Sequence, residues 1–86
     1  MTFSNNDEIK YFVKELKQKL VSIGENEFLD ELVNWEDTFF TSSSEFLGEL
    51  KTILEKIEAQ NIPSLKGNTK KQIKSCIKAI NKAFGI

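Results

Sequence analysis

The 86-residue sequence contains no histidine and no arginine. Histidine is the commonest general base and metal ligand, so its absence argues against zinc sites and most enzyme classes. All twelve basic residues are lysines, which lack the planar fork that arginine uses to bind guanine or phosphate through two hydrogen bonds. We therefore expect a protein that is not an enzyme and that holds no metal and no cofactor.

Cysteine and long apolar segments are also scarce. The only cysteine is Cys76, and one thiol cannot form an internal disulfide. Cys76 lies at the edge of an apolar stripe, so we expect a half-buried small apolar side chain rather than a nucleophile. No apolar stretch approaches the roughly 18 residues of a membrane span, and no signal peptide is evident. The sequence thus predicts a cytoplasmic protein.

Apolar residues recur at helical spacing in four segments, and no alternating segment rich in valine, isoleucine and threonine predicts a strand. The predicted helices span about residues 5–23, 26–38, 43–60 and 69–84. Short connectors between them favour an all-α, compact four-helix bundle with up-down topology, forming one domain over residues 1–86. The predicted core consists of Leu16, Leu20, Leu32, Leu50, Ile53, Leu54, Ile57, Ile73, Ile77 and Ile80.

Capping residues set the predicted helix ends. Ser42 precedes Glu45 by three positions, and Thr69 precedes Gln72 in the same way, so each pair is expected to form a capping box. Ser4 or Asn5 is expected to cap the first helix, preceded by a Phe3 that docks on the bundle. At the other end of the third helix, Asn61 is expected to take a left-handed conformation before Pro63.

The second predicted helix has an unusually wide apolar arc. If the helix continues far enough, one row contains Phe28, Leu32, Trp35 and Phe39, and the next contains Leu29, Val33 and Phe40. Glu36 would then project into the arc. The interpretation we favour is that the helix ends before Phe39 and that Glu36 points to solvent. The alternative is a carboxylate held at an apolar interface to receive a partner's lysine or arginine.

Acidic and polar side chains gather on the outward side of the same helix: Glu27, Asp30, Glu31, Asn34 and Asp37. One interpretation is an ordinary solvated face. The other is a binding surface for a basic protein, because complementary charge accelerates docking. Tyr11 lies on the far side of the first helix from its apolar stripe and is a further candidate for such an interface.

Lysines dominate the last quarter of the chain, where no acidic residue follows Glu58. Lys70, Lys71, Lys74 and Lys78 lie on one flank of the fourth predicted helix. They either face Asp30, Glu31, Asp37 or Glu45 across a seam, or form a stripe that binds phosphate or an acidic membrane surface. The net charge of −1 and the missing arginine make nucleic acid an unlikely ligand.

The segments GENEFLDELVNW, SSSEFLGELKTILEKI and IKSCIKAINKAF together resemble small bacterial helical proteins, in which an acidic helix, a Ser/Thr-rich turn and two further helices recur. Some proteins of this kind are immunity proteins that neutralise a toxin, and others have no assigned activity. The resemblance transfers no functional residue. It implies a protein-binding module, such as an inhibitor that occludes a basic toxin nuclease. The alternatives are a nucleic-acid or membrane-surface binder acting through the lysines, or a structural homodimer joined at Trp35, Phe39 and Phe40.

Overall fold

A computed structural model describes residues 5–85 and contains four α-helices within them. Phe3 and Ser4 lie outside the described residues. The helices are α1 (Asn6–Ser22), α2 (Asn26–Asp37), α3 (Ser43–Gln60) and α4 (Gly67–Ala83). The radius of gyration of 12.2 Å is close to the roughly 12 Å of a compact domain of this length. The predicted all-α four-helix bundle is confirmed.

Contacts between the helices establish the up-down topology. Along α2 and α3, Trp35 contacts Phe46 while Glu31 contacts Lys56, so the two helices run in opposite directions. A methyl group added at Gly48, early in α3, would lie 3.8 Å from Phe84 at the far end of α4. Early in α1, Lys10 lines the same depression as Trp35, late in α2. Consecutive helices are therefore antiparallel neighbours, with α2 and α4 both packed on α3.

The core follows the apolar stripes of all four helices. Every predicted core residue is buried except Ile77, which is half-buried at the edge of the cluster. Cys76 was predicted to be half-buried, but it is fully enclosed because it shares the inward stripe with Ile73 and Ile80. Burial raises the pKa of the Cys76 thiol to about 12, since the thiolate is poorly stabilised away from water.

Local caps explain where three of the helix ends lie. Asn5 and Ser42 accept hydrogen bonds from the backbone N–H groups of Glu8 and Glu45, as predicted. In a capping box the Glu45 side chain would accept a hydrogen bond from the Ser42 backbone N–H. Its carboxylate instead accepts one from the Thr41 hydroxyl at 2.9 Å. Asn61 adopts φ +48°, the expected left-handed conformation.

The predicted Thr69 cap of α4 is wrong. The helix begins at Gly67 and has no side-chain cap, so Thr69 lies within its first turn instead of preceding it. Thr69 is buried, and its hydroxyl oxygen accepts a hydrogen bond from Lys19 Nζ at 3.1 Å. The hydroxyl therefore joins α1 to α4 and is not available to cap a helix.

Helix α2 ends at Asp37, as the favoured interpretation requires, because Thr38 has an extended backbone. The second apolar row does not form as a continuous surface. Val33 is exposed, and Phe39 is 91% exposed in the connector. Phe40 folds back onto the bundle and is half-buried.

Candidate functional site

The acidic face of α2 comprises Glu27, Asp30, Glu31, Asn34 and Asp37. All are exposed except Glu31, which is half-buried toward α3. Val33 lies among them and is partly exposed. The segment Asn26–Asp37 contains no lysine, so the face has no positive charge of its own. This arrangement leaves a negative surface with one apolar side chain in it.

A groove runs between α2 and α3 beside the acidic face. Its volume is about 440 Å³, and its lining includes the acidic-face residues Glu31 and Asn34 together with Trp35, Phe40, Glu49 and Lys56. Trp35 and Phe40 provide an apolar wall, and the carboxylates of Glu31 and Glu49 provide negative charge. The groove thus offers both contacts that a lysine or arginine side chain requires, namely apolar surface for its stem and carboxylate oxygens for its charged end.

Lys56 already demonstrates this chemistry within the chain. Its Nζ donates a hydrogen bond to Glu31 Oε1 at 2.8 Å. That hydrogen bond and the charge of Glu31 raise the pKa of Lys56 above its usual 10.5, with smaller contributions from Glu27 and Glu49. Three carboxylates therefore act on one ammonium group, and the groove keeps an excess of negative charge.

An aromatic corner adjoins the groove where α2 passes into α3; it consists of Trp35, Phe39, Phe40 and Phe46. The Trp35 and Phe46 rings are 4.6 Å apart between centroids, and the indole N–H donates to the Phe46 carbonyl at 2.8 Å. Phe40 meets Phe46 edge to face at 5.8 Å. Three of the four rings thus fix one another, and only Phe39 is left in solvent.

A second depression of about 400 Å³ lies on the other side of Trp35, lined by Phe39, Phe40 and Phe46 together with Asn6, Lys10 and Glu36. Lys10 Nζ lies 5.5 Å from the centroid of the Phe46 ring, a cation–π distance. Because Trp35, Thr38 and Phe40 line both depressions, the groove and the aromatic corner form one continuous surface.

Glu36 is an exposed residue near the end of α2, and its carboxylate forms an ion pair with Lys17 of α1. Its exposed position at the end of α2 agrees with the favoured interpretation, which did not include the pairing with Lys17. Glu36 does not await a foreign cation, because the chain supplies its own lysine. Helical periodicity alone does not indicate this pair, since the relative rotation of α1 and α2 decides it.

Tyr11 does not join the acidic residues of α2. Its side chain is 59% exposed, and it lines a separate shallow recess with Asn5, Asp7 and Glu8. By contrast, Glu49, Lys56 and Phe46 belong to the groove or the corner and were not predicted as site residues. The apolar stripe predicts that these residues lie on α3. It does not predict which side of α3 faces α2.

The lysines of α4 form a ridge of their own. Lys71, Lys74, Lys78 and Lys82 are exposed, and at 100° per residue they fall within an arc of about 80°. Lys70 is half-buried and donates to Asn61 Oδ1 at 3.3 Å. Within residues 5–85 the two ion pairs are Lys17–Glu36 and Lys56–Glu31, so the predicted pairing of these lysines with Asp30, Glu31, Asp37 or Glu45 does not occur. The reason is that α4 packs on α3, while Glu31 forms its ion pair with Lys56 of α3.

Other site chemistries find little support in the described part of the chain. No group of three histidine, cysteine, aspartate or glutamate side chains among residues 5–85 could hold a metal ion. Over the same range, no helix has the length and apolar character needed to cross a membrane. Comparison with known proteins finds no matching family model and no significant match to a curated protein or to a solved structure. Function must therefore be inferred from the chain's own residues.

Proposed function

We propose that the protein is a binding module that occludes a basic protein partner, in the manner of an immunity-type inhibitor of a toxin nuclease, and that it is not an enzyme. The single observation that carries this proposal is the groove lined by Glu31 and Glu49, in which Lys56 Nζ donates a hydrogen bond to Glu31 Oε1 at 2.8 Å. A partner's lysine or arginine entering the groove would meet the same carboxylates.

The aromatic corner supports the same proposal. Phe39 is 91% exposed beside the groove, and burying a phenylalanine side chain contributes about 1.5–3 kcal/mol. Interface hot spots combine an aromatic anchor with surrounding polar contacts. Phe39 would be such an anchor, with Asp37 and the acidic face providing charge around it.

Affinity capture from the source organism tests the proposal. The wild-type chain is compared with an acidic-face variant carrying Asp30→Lys and Asp37→Lys, and with a ridge variant carrying Lys74→Glu and Lys78→Glu. All four positions are exposed, so each variant should keep its fold. Glu31 is left unchanged because its replacement would also release Lys56.

The expected result is a basic protein that the wild-type chain and the ridge variant retain and that the acidic-face variant loses. Capture that survives in the acidic-face variant and disappears in the ridge variant would contradict the proposal. That outcome would favour the second candidate function, binding of an anionic surface through the lysine ridge. The exposure of four ridge lysines, none of them in either ion pair of residues 5–85, is the observation behind this candidate.

A further inference from the structure

Helices α2 and α4 carry equal and opposite charge. Between Asn26 and Asp37, α2 has five acidic residues and no basic residue: Glu27, Asp30, Glu31, Glu36 and Asp37. Between Gly67 and Ala83, α4 has five lysines and no acidic residue: Lys70, Lys71, Lys74, Lys78 and Lys82. The net charge of −1 for the whole chain therefore conceals a strong separation of charge.

The fold keeps these two charges apart. Helix α2 packs on α1 and α3, and α4 packs on α3 with a hydrogen bond to α1, whereas no comparable packing joins α2 to α4 within residues 5–85. Within residues 5–85, the ion pairs of α2 go to Lys17 and Lys56, and neither involves a lysine of α4. The charge of the lysine ridge is thus not neutralised by ion pairs among residues 5–85.

We propose that the acidic face of one copy docks on the lysine ridge of a second copy, so that the protein associates head to tail. The two surfaces match in length, because the ridge from Lys71 to Lys82 extends about 17 Å and the twelve residues of α2 extend about 18 Å. A net charge near zero leaves little overall repulsion between copies. Partly exposed Val33 lies among the acidic residues and can pack on the methylene stems of the opposing lysines.

The contact is heterologous, since it joins two different surfaces of the same chain. Each associated copy still presents one free acidic face or one free ridge, so further copies can add to either end. The association does not require the foreign partner proposed above. A basic partner and a second copy would compete for α2, and the two interactions can therefore be tested separately.

Light scattering coupled to size exclusion tests the association on the purified chain. Surface charge interactions extend over about 30 Å in 0.01 M salt and only about 3 Å in 1 M salt. In 0.01 M salt the average mass should exceed twice the monomer mass of 9.9 kDa and should increase with protein concentration. In 1 M salt it should return to the monomer mass.

Neutralising variants identify the surfaces involved. Asp30→Asn with Asp37→Asn removes charge from the acidic face, and Lys74→Gln with Lys78→Gln removes it from the ridge. Each variant alone should be monomeric, because it retains only one of the two surfaces. An equimolar mixture should recover association but stop at two copies, since the intact face of one variant meets the intact ridge of the other.

Glu55→Gln with Glu58→Gln is the matched control, because it changes the net charge as much as the acidic-face variant does but at exposed positions of α3. The control should associate like the wild-type chain. A monomeric wild-type chain in 0.01 M salt would overturn the proposal, as would association that persists in 1 M salt. An equal loss of association in the control, or a mixture that stays monomeric, would also overturn the proposal. A wild-type mass that stops at two copies, and that decreases to the monomer mass in the Phe39→Ser variant, would contradict the proposal and indicate a symmetric dimer at the aromatic corner.

Discussion

Lys56 of α3 and Glu31 of α2 are joined across the α2–α3 groove by a hydrogen bond of 2.8 Å between Nζ and Oε1. The pair places a cation among several carboxylates, because Glu27 and Glu49 also act on it. In this one contact, the groove holds a lysine of the chain itself against a carboxylate.

This pair has a measurable pH signature. The pKa of Lys56 is raised above 10.5, so any stabilisation from the pair is complete below pH 10.5 and is lost as the pH rises through the higher folded-state value. In an NMR titration, the Lys56 side-chain resonances should report a pKa above 10.5. Glu31→Gln should bring that pKa back toward 10.5, whereas Glu58→Gln should leave it raised.

Core packing on α3 sets the stability of the bundle. Leu50 is fully buried, so Leu50→Ala should lower the free energy of unfolding by about 2–5 kcal/mol through lost burial and a residual cavity. Urea denaturation followed by circular dichroism measures the change. Val21→Ala is the control, since Val21 is exposed and its replacement should change stability by no more than about 0.5 kcal/mol. Equal effects of the two changes would show that α3 does not face the core.

The Ser42 cap makes a separate contribution. Ser42 Oγ accepts a hydrogen bond from Glu45 N–H at 3.2 Å, so Ser42→Ala should destabilise the protein by about 0.5–2 kcal/mol. Ser44→Ala is matched in chemistry but lies inside α3, where alanine favours the helix. It should therefore cause no loss of stability. A loss as large for Ser44→Ala as for Ser42→Ala in thermal unfolding would contradict the assigned cap.

Cys76 reports on opening of the core. Burial raises its pKa from 9.0 to about 12, and only the thiolate reacts rapidly with a disulfide reagent. At pH 8 the folded protein should therefore react far more slowly with such a reagent than the same protein unfolded in guanidinium chloride. Leu50→Ala should accelerate the reaction because it increases the unfolded population. Rapid labelling of the folded wild-type protein would contradict the enclosed position of Cys76.

The sequence predicted the features that depend on local structure. The caps at Asn5 and Ser42 and the left-handed Asn61 involve residues only a few positions apart, and nine of the ten residues predicted for the core are buried. Thr69 was misassigned because its hydroxyl binds Lys19, fifty positions earlier in the chain.

The candidate site was predictable only in part, because some of its contacts join residues that are distant in the sequence. The acidic face lies on one helix and follows from its periodicity. The groove depends on how α2 and α3 are rotated about their axes, and this rotation brings Glu49 and Lys56 to Glu31. Likewise, the Lys17–Glu36 pair depends on the rotation of α1 against α2. Periodicity within one helix contains no information about these rotations.

The association rate constant of the captured partner is the measurement that tests the proposed binding surface most directly. Stopped-flow mixing would compare the wild-type chain with the Asp30→Lys, Asp37→Lys variant and the Lys74→Glu, Lys78→Glu variant over a range of salt concentrations. We predict that the acidic-face variant associates about tenfold or more slowly and with a weaker salt dependence, because complementary charge steers the encounter. The ridge variant should associate about as fast as the wild-type chain. Unchanged association by the acidic-face variant, with slower association by the ridge variant, would contradict a binding site on α2.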